Sequence, residues 1–149
     1  MNMNLPLTLP YKTVFELSQV KIALSELSRV QYSSDEAFAQ ALSSAFRAYP
    51  VLSPLSAQLT SFDAIVSLKK EIAVFEQQTP VVHVWVAYPL KPELIDRLSN
   101  ALQNHYKQSY LLDIQHDPKI IGGIALEING KYIDKTLLTI TKEVMKTYV

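Results

Sequence analysis

The sequence predicts an α+β protein: a helical bundle over residues 1–79, then a small mixed β-sheet domain, β-α-β-β-β-α, over residues 80–149. Three observations carry this. Before Pro80, apolar residues recur at steps of three and four, as one buried helix face requires. After Pro80 they form a β-branched and aromatic run and then alternate, as strands require. All three glycines, Gly122, Gly123 and Gly130, fall late in the chain, so the first 121 residues contain none.

The helical half divides at its caps and prolines. Val14, Leu17, Val20, Leu24 and Leu27 mark a first helix, with Phe15 and Ile22 widening its stripe. Ser33 and Glu36 form a capping-box pattern, in which the serine and the acid satisfy orphan N–H groups at a helix start. The helix they open carries Ala37, Phe38, Ala41, Leu42, Ala45, Phe46 and Tyr49 and ends at Pro50. Ser53-Pro54 reads as a restart, serine as cap and proline at the first position. Leu55, Leu59 and Phe62 then share a face. Ile65, Leu68, Ile72 and Phe75 continue to Gln77-Gln78-Thr79-Pro80, so residues 54–78 make one bent helix or two.

The second half begins with a strand at Val81-Val82-His83-Val84-Trp85-Val86. Pro92-Glu93 opens a helix with Leu94, Ile95, Leu98, Ala101, Leu102 and Tyr106 on one side, and a second strand runs from Tyr110 to Gln115. Strand, helix and strand with short joints imply a parallel crossover. Asp117-Pro118 makes a turn, and Gly122-Gly123 leads into Ile124, Leu126 and Ile128. Asn129-Gly130 is a hairpin signal, because a type I′ turn needs positive φ at both central positions. Lys131 to Asp134 returns, and Leu137, Ile140, Val144 and Tyr148 mark a final amphipathic helix.

Composition excludes several functions. Without glycine before residue 122 there is no P-loop and no G-x-G-x-x-G turn over most of the chain. Fourteen basic and fourteen acidic residues cancel, so the basic excess of a general nucleic-acid binder is missing. No cysteine is present, which removes disulfides, thiolate zinc sites and cysteine nucleophiles. Met1 to Pro6 has neither the basic start nor the apolar run of a targeting segment. The longest apolar run, Val81 to Leu90, is broken by His83 and Pro89 and is about half a membrane span.

Catalytic groups are sparse. His83, His105 and His116 have no metal-ligand spacing, and His116 beside Asp117 is a two-residue site at most. Asp113 and Asp117 could act as an acid–base pair only across a cleft. Otherwise Asp113 faces outward from a strand and Asp117 sets a Pro turn. No serine lies in G-x-S-x-G, and Lys69-Lys70 is the only dibasic pair. Gly122-Gly123 could form an anion-binding nest. It enters a strand, however, which favours a bulge or a close backbone approach. No cofactor and no metal are expected.

The phenylalanines, Phe15, Phe38, Phe46, Phe62 and Phe75, all belong to the helical half. They read as a shared core, or in part as an apolar groove for a partner helix. For the groove the candidate contacts are Phe15, Ile22, Leu59 and Phe62, with the first helix favoured.

One stretch carries a resemblance. Val86-Ala87-Tyr88-Pro89-Leu90, a helix, Asp117-Pro118-Lys119-Ile120-Ile121-Gly122-Gly123-Ile124, and Asn129-Gly130-Lys131-Tyr132-Ile133-Asp134 resembles the C-terminal part of the ATP synthase delta subunit family. The mitochondrial member of that family is the oligomycin-sensitivity-conferring protein. Asp117, Pro118, Gly122, Gly123, Gly130 and Asp134 are the motif positions. The chain departs from the pattern at Ile120, where leucine is usual, and at Asp134-Lys135-Thr136, where the family has D-G-S. Its helical half is about one helical hairpin shorter than the family's.

The resemblance implies a non-catalytic peripheral-stalk, or stator, subunit of a rotary F-type ATP synthase. Residues 1–79 would contact N-terminal helices of the alpha subunits on the catalytic head, and residues 80–149 the b-type stalk. It would touch the membrane only through the complex, on the cytoplasmic side of a bacterial inner membrane or its organelle equivalent. A standalone interaction adaptor that kept this fold is the alternative.

Overall fold

The structure is a computed structural model, and it describes residues 9–30 and 34–136. Two expectations therefore lie outside the described residues: the final helix marked by Leu137, Ile140, Val144 and Tyr148, and the cap at Ser33. The chain divides into two compact units, Phe15–Gln78 with the segment up to Tyr11, and Lys12–Val14 with the chain from Thr79 onward.

The helical unit contains α1 (Val14–Ser28), α2 (Asp35–Ala48), a 3-10 helix (Pro50–Leu55) and α3 (Phe62–Gln78). α1 buries Leu17, Val20, Ala23, Leu24 and Leu27, and α3 buries Ile65, Leu68, Ile72 and Phe75. Both sets follow the three–four spacing that places side chains on one face. α2 has Ser34 as its N-cap. The Ser34 hydroxyl accepts from the Ala37 N–H at 3.3 Å, supplying the N-cap bond.

Ser53-Pro54 does not restart an α-helix. Pro54 sits inside the 3-10 helix, and α3 starts eight residues later, where the Ser61 hydroxyl accepts from the Ala64 N–H at 3.2 Å. Proline has no N–H to give, and its ring collides with the carbonyl four residues back in an α-helix. Here that carbonyl is on Pro50, so the segment closes short turns instead: Leu52 N–H to Tyr49 C=O at 3.0 Å and Ser56 N–H to Ser53 C=O at 3.2 Å. These turns deliver Leu52, Leu55 and Leu59 to the core, each at most 1% exposed. The Tyr11 hydroxyl donates to the Val51 carbonyl at 3.0 Å and ties the entering chain to this helix.

The sheet unit contains β1 (Val81–Val86), α4 (Pro92–Tyr106), β2 (Leu111–His116), β3 (Gly123–Ile128) and β4 (Lys131–Thr136). The strand order is β2-β1-β3-β4, with β1 parallel to β2 and the β1–β3 and β3–β4 pairs antiparallel. One face is the core: Val82, Val84, Val86, Leu112 and Ile128 are buried with Tyr110 and with Leu102 of α4. Ile95 and Leu98 of α4 pack against the same cluster, so an amphipathic helix covers an alternating sheet face.

Lys12–Val14 adds to this unit. Thr13 forms a parallel bridge with Leu112, and the Leu112 N–H donates to the Lys12 carbonyl at 2.8 Å. The open edge of β2 is thereby partly satisfied. The Lys12–Asp96 ion pair at 2.7 Å is exposed at both ends and adds little stability.

Asn129 and Gly130 turn with φ of 51° and 75°, the conformation the hairpin signal requires. α4 ends on Lys107 in the left-handed region, φ 56°, with its N–H donated to the Gln103 carbonyl at 2.8 Å. Glycine usually occupies that position.

Candidate partner-binding surfaces

In the helical unit the candidate contacts fall into different environments. Phe15 and Ile22, seven residues apart on α1, are 71% and 46% exposed. A separation of seven residues puts them on one stripe. They do not widen the buried face; they form a second, outward one. Phe62, at the start of α3, is half-buried. Leu59 is 1% exposed and offers a partner no surface. Its expected role as a contact gives way to a core role, because the turn after the 3-10 helix carries it inward.

The sequence missed a third feature, on α2. Its long apolar stripe buries only Ala45, and Phe38, Leu42 and Phe46 stay half-buried. A cavity of about 590 Å³ opens along it, lined by Phe38, Leu42 and Phe62, with the buried Leu59 also in its wall. A smaller one of about 180 Å³ lies between α1 and α3 over Leu24 and Ile72. Lys21 and Glu76 bridge it at 2.9 Å. Nearby, Tyr49 donates to the Glu26 carboxylate at 2.9 Å. That bond, with lesser help from desolvation and the Glu26 charge, raises the phenol above its ordinary value. Lys69 donates to the Ser28 hydroxyl at 3.3 Å.

In the sheet unit the motif residues gather where β1 and β2 end and β3 begins. The Asp117 N–H donates to the Val86 carbonyl at 3.0 Å, and its carboxylate accepts from the Lys119 N–H at 2.9 Å. His116 meets the Ala87 carbonyl across the same joint. Asp117-Pro118 is thus a closed turn, and the carboxylate that might have served as a base is used to hold it. Gly122 and Gly123 both take positive φ, 73° and 82°, a conformation L side chains resist. The pair turns the backbone into β3 and leaves Ile121 65% exposed on one side of the joint and Tyr88 76% exposed on the other. Asp134 accepts from the Thr136 N–H at 2.8 Å, next to the departure at Lys135-Thr136.

The sheet face opposite α4 carries a connected polar chain. His83 Nδ1 lies 2.9 Å from Asp113 Oδ2, Gln115 Nε2 donates to the same oxygen at 3.0 Å, and Trp85 Nε1 donates to Gln115 Oε1 at 3.1 Å. The parallel register opposes His83 to Asp113 and Trp85 to Gln115. The sequence placed His83 and Trp85 in one strand and Asp113 outward on another, but only the register joins them. Asp113 and Asp117 do not act as one pair: Asp113 serves this chain, and Asp117 its own turn. His105 stacks edge-on against Tyr106 on α4. Among the described residues, no three His, Asp or Glu side chains are grouped to hold a metal ion.

A family model for the ATP synthase delta (OSCP) subunit matches residues 56–146, from just ahead of α3 through β4. The chain belongs to the ATP synthase delta family. The delta subunit of Nocardioides sp. is 32% identical over 133 residues, 86% of this chain and 48% of that protein. ATP synthase subunit delta 2 of Syntrophotalea carbinolica is 30% identical over 80 residues, 54% of this chain and 45% of its own length. Mitochondrial ATP synthase subunit O of Drosophila melanogaster is 31% identical over 87 residues, 57% of this chain and 42% of that one. The chain therefore spans about half the length of the curated delta relatives it matches. The matched region contains the whole motif, Val86 to Asp134, that carried the resemblance.

Proposed function

We propose that the chain is a non-catalytic peripheral-stalk subunit of an F-type ATP synthase. In this reading residues 1–79 hold the catalytic head through N-terminal helices of the alpha subunits, and residues 80–149 hold the b-type stalk. The observation that carries it is the delta-family match over residues 56–146, and the relatives' names as ATP synthase subunits support it. On the head side the contacts are Phe15 and Ile22 of α1 with Phe62. Exposed apolar residues at helical spacing suit a helix laid alongside them.

The protein is peripheral, on the cytoplasmic side of a bacterial inner membrane or its organelle equivalent. No described helix is long and apolar enough to cross a membrane. Resistance to torque comes from buried helix contacts and needs no cofactor. The test is recovery of the alpha/beta head and the b-type stalk with the tagged, folded protein from solubilised source membranes. Recovery of neither would overturn the proposal. The exposed apolar pair Phe15 and Ile22 is equally compatible with one second reading, a standalone adaptor with the delta fold. Capture of a single non-ATPase partner in the same experiment would select it.

A further inference from the structure

The sheet face turned away from α4 combines aromatic rings with carboxylates. Register places Val81, His83 and Trp85 of β1, Leu111, Asp113 and Gln115 of β2, Gly123, Ala125 and Glu127 of β3, and Tyr132, Asp134 and Thr136 of β4 on it, of which Leu111, Ala125 and Thr136 are buried. None of these strand positions is lysine or arginine. Trp85 and Tyr132 stand with ring centroids 6.0 Å apart, and Tyr132 is 60% exposed. Trp85 is held by the chain through Gln115 to Asp113. It is an aromatic fixed before any partner arrives, and such preorganisation lowers the ordering cost of binding. Glu127 lies in register with His83 on one side and Tyr132 on the other. Asp113, with its side chain 31% exposed, lies on the far side of His83. Asp113 and Glu127 therefore stand on either side of His83, in the cross-strand row next to that of Trp85.

We infer that this face docks a cationic amphipathic helix of a partner, whose apolar stripe lies on Trp85 and Tyr132 and whose lysines or arginines meet Asp113 and Glu127. Charge complementarity selects the occupant. A nucleic acid or an acidic segment would be repelled. The half-buried Trp85 indole and the exposed Tyr132 phenol attract ammonium and guanidinium groups over their faces, and neighbouring carboxylates strengthen that preference. The inference rests on the stalk-facing reading of this unit. It adds the face that is used and the sign of the charge on the segment that meets it.

Trp85 is the chain's single tryptophan and so reports on its own face. The experiment titrates the full chain with a designed leucine–lysine amphipathic helix of about 18 residues, long enough to cross the sheet, and with its leucine–glutamate counterpart. Expected are a change in Trp85 emission with the lysine helix, weakening as salt rises, and none with the glutamate helix. Asp113→Asn with Glu127→Gln should weaken binding about tenfold, and Tyr132→Ser, an exposed site that leaves the core intact, about threefold. Equal response to both helices, or unchanged affinity in the variants, overturns the inference. If the variants also assemble with head and stalk as the wild type does, this face is refuted while the stalk reading stands. A wild type that binds the lysine helix yet never joins a stalk overturns the stalk reading and with it this assignment.

Discussion

Tyr11 offers a stability test with a sign that can be worked out in advance. Its ring is 5% exposed and its hydroxyl donates to the Val51 carbonyl at 3.0 Å. Burial, with a smaller contribution from the Glu16 charge, pushes its phenol from 10.0 up to about 12. The folded state thus holds this proton more tightly than the unfolded one. The contribution is whole below pH 10 and is lost as pH rises toward 12. At pH 11 the unfolded phenol is mostly ionised and the folded one mostly protonated, a difference of about 1.4 kcal/mol. Solvent screening of this part-buried group reduces that to about 1 kcal/mol. Tyr11→Phe removes both the hydrogen bond and the titration. At pH 7 it should cost about 1 kcal/mol, and by pH 11 the wild type should have lost a similar amount, so the gap closes. Urea unfolding of both proteins from pH 7 to pH 11 measures this, and the difference between them cancels the other tyrosines and the lysines. A gap that stays constant across the range would refute the reasoning.

Three further outcomes follow from the backbone and the surface. Lys107 ends α4 at φ 56°, so Lys107→Gly should raise stability by about 0.5–1 kcal/mol in thermal or urea unfolding. Gly130 has φ +75° with nothing within 4 Å of an added Cβ, so Gly130→Ala should cost about 1 kcal/mol through the backbone alone. Phe15→Ser with Ile22→Ser removes exposed rather than buried surface. It should leave the unfolding midpoint within about 0.5 kcal/mol of wild type while weakening recovery of the catalytic head in pull-downs.

What the sequence made legible was what local spacing decides. The stripes of α1 and α3, the run of β1, and the Asn129-Gly130 turn depend on neighbours within a few residues, and each formed as the spacing requires. The departures lie where distant residues decide. Phe15 and Ile22 flank a stripe that Leu17, Val20 and Leu24 already fill, and composition cannot say which apolar neighbour is left outside. The stripe of α2 looked as complete as those of α1 and α3, yet only Ala45 is buried. Ser53-Pro54 carried a cap signal, but Pro54 falls inside a 3-10 helix that already begins at Pro50. Thr13 pairs with Leu112 across some hundred residues, beyond any periodicity.

The two units differ in what they present. The helical unit leaves apolar side chains outside its core, Phe15 and Ile22 on α1 and the half-covered Phe38 and Leu42 along α2. Binding there would be driven by burial, which is non-directional and little affected by salt. The sheet unit closes its apolar face under α4 and turns outward Trp85, Tyr132, Asp113 and Glu127. Recognition there would be set by charge and by aromatic orientation, which distinguish partners and respond to salt. A connector gains from that asymmetry, because the two attachments cannot exchange partners. Raising salt on an assembled complex should therefore release the stalk before the head. Release in the opposite order would contradict the division of labour proposed for the two units.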